Sequence, residues 1–330
     1  MTEDGPEDAE EGLTYAEAGV DIDASEAATA ALVGAVEGVE DESAYAGLLD
    51  VGDRYLALAT DGVGTKLLVA EALEDYSTIG IDCMAMNVND LVAGGVRPVA
   101  FVDYLAVDEP SEALAEQIGE GLAAGAKEAE VALVGGETAV MPEVVKGFDL
   151  AGTVAGLAPK DAVFPGEAEV GDVLVGFASS GIHSNGLTLA REAATREGAY
   201  TDAYPYEGYE TVGEALLEPT RIYTYLLDHL RDLDVHAAAH VTGGGWTNLS
   251  RMGDFEYDVT DPLPAQDVFT FVQERGNVSD EEMHRTFNMG TGFVVALPET
   301  DAETLVAETD GERIGEVREG DSVEVRGLSL

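Results

Sequence analysis

Four carboxylates stand where turns or apolar runs would hold them in place: Asp61 in TDGVGTK, Asp90 in NVNDLV, Asp103 in FVDYLAV and Glu137 in VGGETAV. Hard oxygen donors of this kind suit Mg2+, which takes one or two carboxylates and fills its shell with water and phosphate oxygens. Asn87 and Asp90 are three residues apart, so on a helix an amide and a carboxylate project side by side. Asp103 interrupts an almost continuously apolar run from Val99 to Val107. A buried carboxylate there is either hydrogen-bonded structure or part of a site, because an unpaired one is strongly unfavourable.

Glycines accompany the acids. In DGVGTK, Gly62 and Gly64 lie between a strand and a helix, an arrangement that presents backbone N–H groups to phosphate, with Thr65 and Lys66 within reach of its oxygens. Asp-Gly is equally a common turn dipeptide. GGET places Gly135 and Gly136 at the end of a short strand, open to close approach by a ligand, with Glu137 at the rim; a tight turn with a solvated glutamate is the plain alternative. SSGIHSNG sets His183, Ser184 and Asn185 before a helix, where the histidine moves a proton, meets a phosphate or simply caps the turn. TGGG, formed by Thr242, Gly243, Gly244 and Gly245, offers a further glycine cradle. His236 and His240, four apart, would make a zinc pair, but no third ligand accompanies them. No Walker loop, no Rossmann fingerprint in the right context and no G-x-S-x-G elbow occurs.

The elements that must position these residues follow from periodicity. Ile81, Met84, Ala85, Val88, Leu91 and Val92 recur at helical spacing, giving one apolar face, with Asn87 and Asp90 on another and Gly94, Gly95 and Pro98 ending the helix. Strands are expected over 54–60, 99–107, 131–134, 148–157, 172–178 and 294–297. Helices are expected over 25–36, 67–73, 110–130, 187–196, 219–233 and 246–252, and a last helix with two short strands at the C-terminus. The pattern is that of an α/β protein of α+β type in two domains. An acidic, glycine- and proline-bearing tail (1–12) precedes an N-terminal domain (13–160), then a linker (161–171) and a C-terminal domain (172–330).

The chain has 330 residues, with 66 acids against 16 bases and a formal charge of −50. The acid is spread along the whole chain, which points to a surface adapted to high salt rather than to an acidic tail. No basic stripe is present for nucleic acid. The single cysteine, Cys83, forms no internal disulfide and reads as a small core residue. No signal peptide or membrane-length apolar window is visible, so a soluble, cytoplasmic protein is expected.

Beyond spacing, the chain resembles the aminoimidazole ribonucleotide synthetase (phosphoribosylformylglycinamidine cyclo-ligase) family. The resemblance runs from about Leu13 to Ala296 and rests on TYAEAGVDIDA, TDGVGTKL, TIGIDCMAMNVNDLV, FVDYLA, LVGGETAVMP, SSGIHSNG, PTRIY, DVHAAAHVTGGG and RTFNMGTG in the family's order. It implies a homodimer whose N-terminal domains share a barrel, with a C-terminal α/β domain closing over a cleft. It also implies ATP-dependent closure of formylglycinamidine ribonucleotide to aminoimidazole ribonucleotide, a C–N bond-forming ligase step of purine biosynthesis. On this resemblance Asp61, Asp90 and Glu137 would hold Mg2+ or ATP, with Asn87 and Asn89 in support and Asp103 second in line. Lys66 would meet the phosphates, His183 the transferred proton or the phosphorylated intermediate, and Ser184 and Asn185 would line that turn. Arg221 and the TGGG loop would take the ribose phosphate. Two departures from the family pattern are the short SAYAGLLDVG, 43–52, where many members carry a longer glycine-rich segment, and Glu37 where many have lysine. Within the same superfamily the enzymatic alternative is a small-molecule kinase, and outside enzymes a non-catalytic nucleotide-binding module.

Overall fold

The structure is a computed structural model that describes residues 12–16, 18–19, 27–28, 31 and 45–330. The helix expected over 25–36 is described only at 27, 28 and 31, which are helical, and Glu37 and Ser43 lie outside the described residues.

Strands β1 (Gly47–Asp50), β2 (Arg54–Gly62), β3 (Pro98–Val107), β4 (Ala132–Val140) and β5 (Phe148–Pro159) make a five-stranded sheet in the order β1-β2-β5-β3-β4. Helices α1 (Leu67–Leu73), α2 (Ile79–Ala93) and α3 (Glu112–Glu128) belong to the same half of the chain. Period-two alternation decides which side of this sheet meets the helices. Ala57 and Ala59 on β2, Phe101 and Leu105 on β3, and Leu150 and Val154 on β5 are buried, while their neighbours Leu58, Val102, Tyr104 and Leu157 are exposed.

The second half carries a seven-stranded sheet in the order β12-β11-β8-β10-β6-β9-β7. Its strands are β6 (Val173–Ala178), β7 (Ala237–His240), β8 (Glu256–Val259), β9 (Thr291–Leu297), β10 (Glu312–Arg318), β11 (Val323–Val325) and β12 (Leu328–Ser329). Its helices are α4 (Leu187–Thr195), α5 (Val212–Leu217), α6 (Leu226–Leu230), α7 (Asp267–Gly276), α8 (Asp280–Thr286) and α9 (Glu299–Glu308). One face of this sheet packs Leu174, Ala239 and Val294 on Trp246; the other packs Val175, Phe293 and Val295 on Leu226 and Leu305. The core of the first sheet runs on without a break into α4, α5 and α7 of the second half.

Three expectations need correction. α2 is not amphipathic: Asp82, Asn87 and Asn89 are as fully buried as Cys83, Met84 and Val88. It lies at the centre of the molecule, and its polar side chains serve neighbouring segments instead of solvent. GGET is no turn, because β4 runs straight through it, parallel to β3. The helix expected over 219–233 shrinks to α6, since side chains of α2 claim the backbone that it would have used. Asp82 accepts from the Thr220 N–H at 2.8 Å, and Asn89 Oδ1 accepts from the Tyr223 N–H at 2.9 Å. Such side-chain bonds give backbone donors an alternative to helical pairing.

The strongest of these ties is ionic. Lys66 Nζ, wholly buried, lies 2.9 and 2.8 Å from the two oxygens of Asp82 and donates to the Glu218 carbonyl at 2.6 Å. Asp82 also accepts from the Thr220 hydroxyl at 2.6 Å. Burial draws the Lys66 pKa down from its ordinary value, and Asp82 opposes that shift. Breaking a buried pair from one side leaves an uncompensated charge worth about 3–5 kcal/mol, whereas replacing both partners with apolar groups is far milder. Lys66→Met should therefore lower unfolding free energy in denaturant titrations by about that amount, and Lys66→Met with Asp82→Leu by clearly less. Equal losses for the single and double variants would show that the pair is not the tie.

Candidate functional site

Register places the acids of the first sheet in one row. Asp61 on β2 opposes Gly152 on β5, Gly152 opposes Asp103 on β3, and Asp103 opposes Gly136 on β4. Directly opposed residues share a face, so Asp61 and Asp103 both point to the helix side. The glycines make that row possible. A Cβ on Gly136 would stand 2.3 Å from Asp103 Oδ1, and one on Gly152 would stand 2.2 Å from the Phe101 ring. Gly136 thus makes room for a side chain of the protein itself, whereas a Cβ on Gly135 would meet nothing within 4 Å. Glu137, next along β4, projects to the opposite face.

Asn87 fastens this row to α2. Its Oδ1 accepts from the Asp61 N–H at 2.9 Å, and its Nδ2 donates to the carbonyls of Asp61 at 3.1 Å and Cys83 at 2.8 Å. The amide is spent on the protein and does not stand as a ligand beside Asp90. Cys83 is buried, and burial raises its thiol pKa, as a core residue requires.

Asp61 and Asp90 are two carboxylates close enough for the charge of one to act on the other. Asp61 has its pKa pushed up to about 6, first by burial and then by the charge of Asp90. Its Oδ1 accepts from the Gly62 N–H at 2.7 Å, and no Lys or Arg among the described residues pairs with either acid. Excess negative charge of this kind is relieved by a divalent cation, and two carboxylates leave room for phosphate oxygens. Residues Asp61 and Asp90 therefore fit Mg2+; the set of Asp61, Asp90 and Glu137 does not. Among the described residues no three His, Cys, Asp or Glu side chains converge as metal ligands. The separation of Glu137 follows from strand alternation. The histidines separate for a similar reason. His236 precedes β7 and His240 ends it, and along a strand four residues span about 13 Å. His236 Nδ1 pairs with Asp172 at 2.8 Å, and His240 Nδ1 with Asp90 at 3.0 Å.

The glycine loops of the two halves come together. The Thr65 and Thr188 hydroxyls are 3.0 Å apart, and the backbone at Gly64 faces the Ser184 carbonyl. Ser184 Oγ lies 3.1 Å from Thr220 Oγ1. Asn185 Oδ1 would lie 3.4 Å from a Cβ on Gly243, so the SSGIHSNG turn borders the TGGG loop. Asn248 shapes that loop: its Nδ2 donates to the Gly243 carbonyl at 3.0 Å and the Gly245 carbonyl at 2.8 Å. Gly244 and Gly245 have φ of +95° and +55°, and a Cβ on Gly245 would stand 2.2 Å from the His284 carbonyl oxygen. Only glycine fits there. Asn288 links FNMG to the turn by donating to the Gly181 carbonyl at 2.9 Å.

His183 is buried, at φ +65°, and its Nε2 accepts from the Ser180 N–H at 3.1 Å. Nδ1 has no hydrogen-bond partner among the described residues. Burial, reinforced by His240 and Lys66, holds its pKa well below the ordinary value. The ring is therefore neutral, with its proton on Nδ1, and can donate one hydrogen bond. Lys66 and Arg221 are placed differently from the expectation. Lys66 is closed inside the ion pair with Asp82. The Arg221 guanidinium binds the Ala178 carbonyl at 3.1 Å, the Tyr225 hydroxyl at 2.9 Å and Asp310, away from the TGGG loop. Asp82, Thr220, Asn248 and Asn288 are the site's supports that spacing missed, and His240, paired by spacing with His236, belongs with Asp90 instead. Only Asn288, in an Asn-Met-Gly turn, carries a local signal.

The AIR synthase related protein family matches the chain in two profiles, the N-terminal domain over residues 43–158 and the C-terminal domain over 169–327. A phosphoribosylformylglycinamidine cyclo-ligase of Methanococcoides burtonii is 47% identical over 97% of this chain and 99% of its own length. One from Pyrococcus horikoshii is 48% identical over 89% of this chain and 90% of its own. Among solved structures, a thiamine monophosphate kinase from Aquifex aeolicus aligns with a TM-score of 0.65 at 17% identity, covering 94% and 99% of the two chains. The hydrogenase maturation protein HypE in complex with ATP aligns at 0.62 and 19%, covering 84% and 83%. These structural likenesses show the fold.

Asp61 supplies a test with a defined sign. A carboxyl whose folded pKa of about 6 exceeds its ordinary 3.8 destabilises the fold once ionised. The penalty is absent below about pH 4, grows between the two values and is full above about pH 6. In metal-free protein Asp61→Asn should raise Tm near pH 7.5, and the gain should shrink as pH falls toward 4.5. A gain that is flat with pH, or a loss, would remove Asp61 from the charged pair.

Proposed function

The chain belongs to the phosphoribosylformylglycinamidine cyclo-ligase family, and from that premise we propose how its site carries out the ATP-dependent closure of formylglycinamidine ribonucleotide to 5-aminoimidazole ribonucleotide. ATP phosphorylates the formyl oxygen, the amidine nitrogen attacks that carbon, and phosphate leaves with ADP as the other product. The observation that carries this reading is the 47% identity to a cyclo-ligase over nearly the full length, set beside an Asp61 that feels the charge of Asp90.

Phosphoryl transfer asks a protein mainly for positioning and for charge placed where charge develops. Asp61 and Asp90 would hold Mg2+, which when bound neutralises phosphate oxygens. Gly62, Gly64 and Thr65 would present backbone and hydroxyl donors to ATP. His183, neutral and with Nδ1–H free, is suited to donate to an oxygen of the phosphorylated formyl group and unsuited to act as a cationic acid. Ser184, Asn185 and the Thr242–Gly245 loop border that turn and are assigned to substrate. Asn87, Asn89 and Lys66 support the site from behind. Asp103 stands in the same row as Asp61, and Arg221 lies at its margin.

A homodimer is the favoured assembly. It is supported by the outer face of the first sheet, where Leu58, Val102, Tyr104 and Leu157 stand exposed on adjacent strands and want an apolar cover. The charge of −50 supports a high-salt cytoplasm. No helix of the described residues is long and apolar enough to cross a membrane.

In molar potassium chloride with Mg2+, ADP release should require formylglycinamidine ribonucleotide and match aminoimidazole ribonucleotide one for one. Substrate-dependent ADP with a stable phosphorylated product and no free phosphate would favour a kinase instead. Tyr104→Glu should turn the species seen by light scattering from dimer to monomer; a wild-type monomer would overturn the assembly.

A further inference from the structure

Asp90 stands on α2 of the first half, yet the group that fixes it comes from the edge strand β7 of the second. His240 is wholly buried, and its Nδ1 lies 3.0 Å from Asp90 Oδ1. Nothing in the spacing of the sequence pairs these two residues, 150 positions apart.

The proton on that ring is set by a chain of hydrogen bonds that starts at the backbone. Asn89 Oδ1 accepts from the Tyr223 N–H at 2.9 Å, and Asn89 Nδ2 donates to the Arg221 carbonyl at 2.9 Å. Donor and acceptor are backbone groups of fixed character, so the Asn89 amide has one orientation only. That orientation turns Nδ2 toward His240 Nε2, at 3.4 Å. Nε2 therefore accepts, and Nδ1 carries the hydrogen that is donated to Asp90 Oδ1. The backbone that carries the ring is also held from outside, since Tyr45 donates its hydroxyl to the His240 carbonyl at 3.0 Å. Asp90 Oδ2 takes no hydrogen bond from the described residues.

We propose that His240 is a positioning residue for the phosphate-bound cation: it locks Asp90 through Oδ1 and leaves Oδ2 aimed at the metal. Outer groups that orient a metal ligand typically change metal affinity 10- to 100-fold when removed. The arrangement also makes the cation site a property of both halves. Asp61 and Asp90 come from the first domain, but Asp90 has a single orientation only while β7 is docked on α2. The proposal rests on the reading of Asp61 and Asp90 as metal residues.

The test uses full-length protein in molar potassium chloride, with Mg2+-dependent ADP binding followed by calorimetry in the absence of the second substrate. His240→Leu removes the donor. His240→Asn retains it, because an asparagine amide nitrogen falls near the place of Nδ1. His240→Leu should raise the Mg2+ concentration for half-maximal ADP binding by about 10-fold or more, and His240→Asn by no more than about 3-fold. Metal-free Tm of the two variants serves as the structural control. Equal Mg2+ dependence for wild type and His240→Leu would overturn the inference. So would equal losses in both variants that track their metal-free Tm. Wild-type protein whose ADP binding ignores Mg2+ would instead overturn the reading of Asp61 and Asp90, and this inference with it.

Discussion

The buried ion pair of Lys66 and Asp82 is the constraint around which the rest of the molecule is arranged. Two opposite charges withdrawn from water are tolerated only when partners hold them, and here the holding groups come from three separate segments. Lys66 closes the DGVGTK loop, Asp82 lies in the first turns of α2, and Thr220 and the Glu218 carbonyl belong to the second half of the chain. Neither domain can meet these demands alone. A buried charge with no partner is so unfavourable that the docked arrangement is the one in which both ions are neutralised.

From that anchor α2 acts as a rigid rod with a different partner at each polar position. Asp82 holds Thr220, Asn87 holds the backbone of Asp61, Asn89 holds Arg221 and Tyr223, and Asp90 holds His240. Each bond fixes one loop of the site relative to the helix, so the loops inherit the stiffness of a packed element. A site built in this way is preorganised for phosphate chemistry, where small misplacements of charge are expensive. The acids that remain uncompensated, Asp61 and Asp90, stand at the far end of the rod from the ion pair. Burial near a like charge is what drives Asp61 toward a pKa of about 6, and the same excess charge is what a cation would relieve.

Lys66 shows how local chemistry misleads. A lysine after a glycine loop suggests a phosphate ligand, yet α2 brings a carboxylate within 2.9 Å and encloses the ammonium. Gly136 is a second case. Paired glycines suggest a ligand cradle, but register sets Gly136 beside Asp103, and the vacant space is filled by that side chain. His240 is the reverse case: its spacing to His236 suggests half of a zinc pair, and the fold gives it to Asp90 instead. Its partner lies 150 residues away, and no periodicity within a window of a dozen residues can carry such information.

The sequence by itself determined the chemical class of the protein. Acids and glycines read at strand ends pointed to an α/β chain that handles phosphate, motif order placed it in a family, and the apolar spacing located α2 and β3 almost to the residue. Those features are local, and local sterics and periodicity suffice to express them. Tertiary structure alone decided which polar groups face a ligand and which are consumed by the fold. Burial raises the stakes of every charge and hydrogen bond, and the partners that satisfy them are chosen by packing across the whole chain. Lys66 and Asn87 were thereby withdrawn into the interior, Glu137 was turned to the other face, and His240 was brought to Asp90.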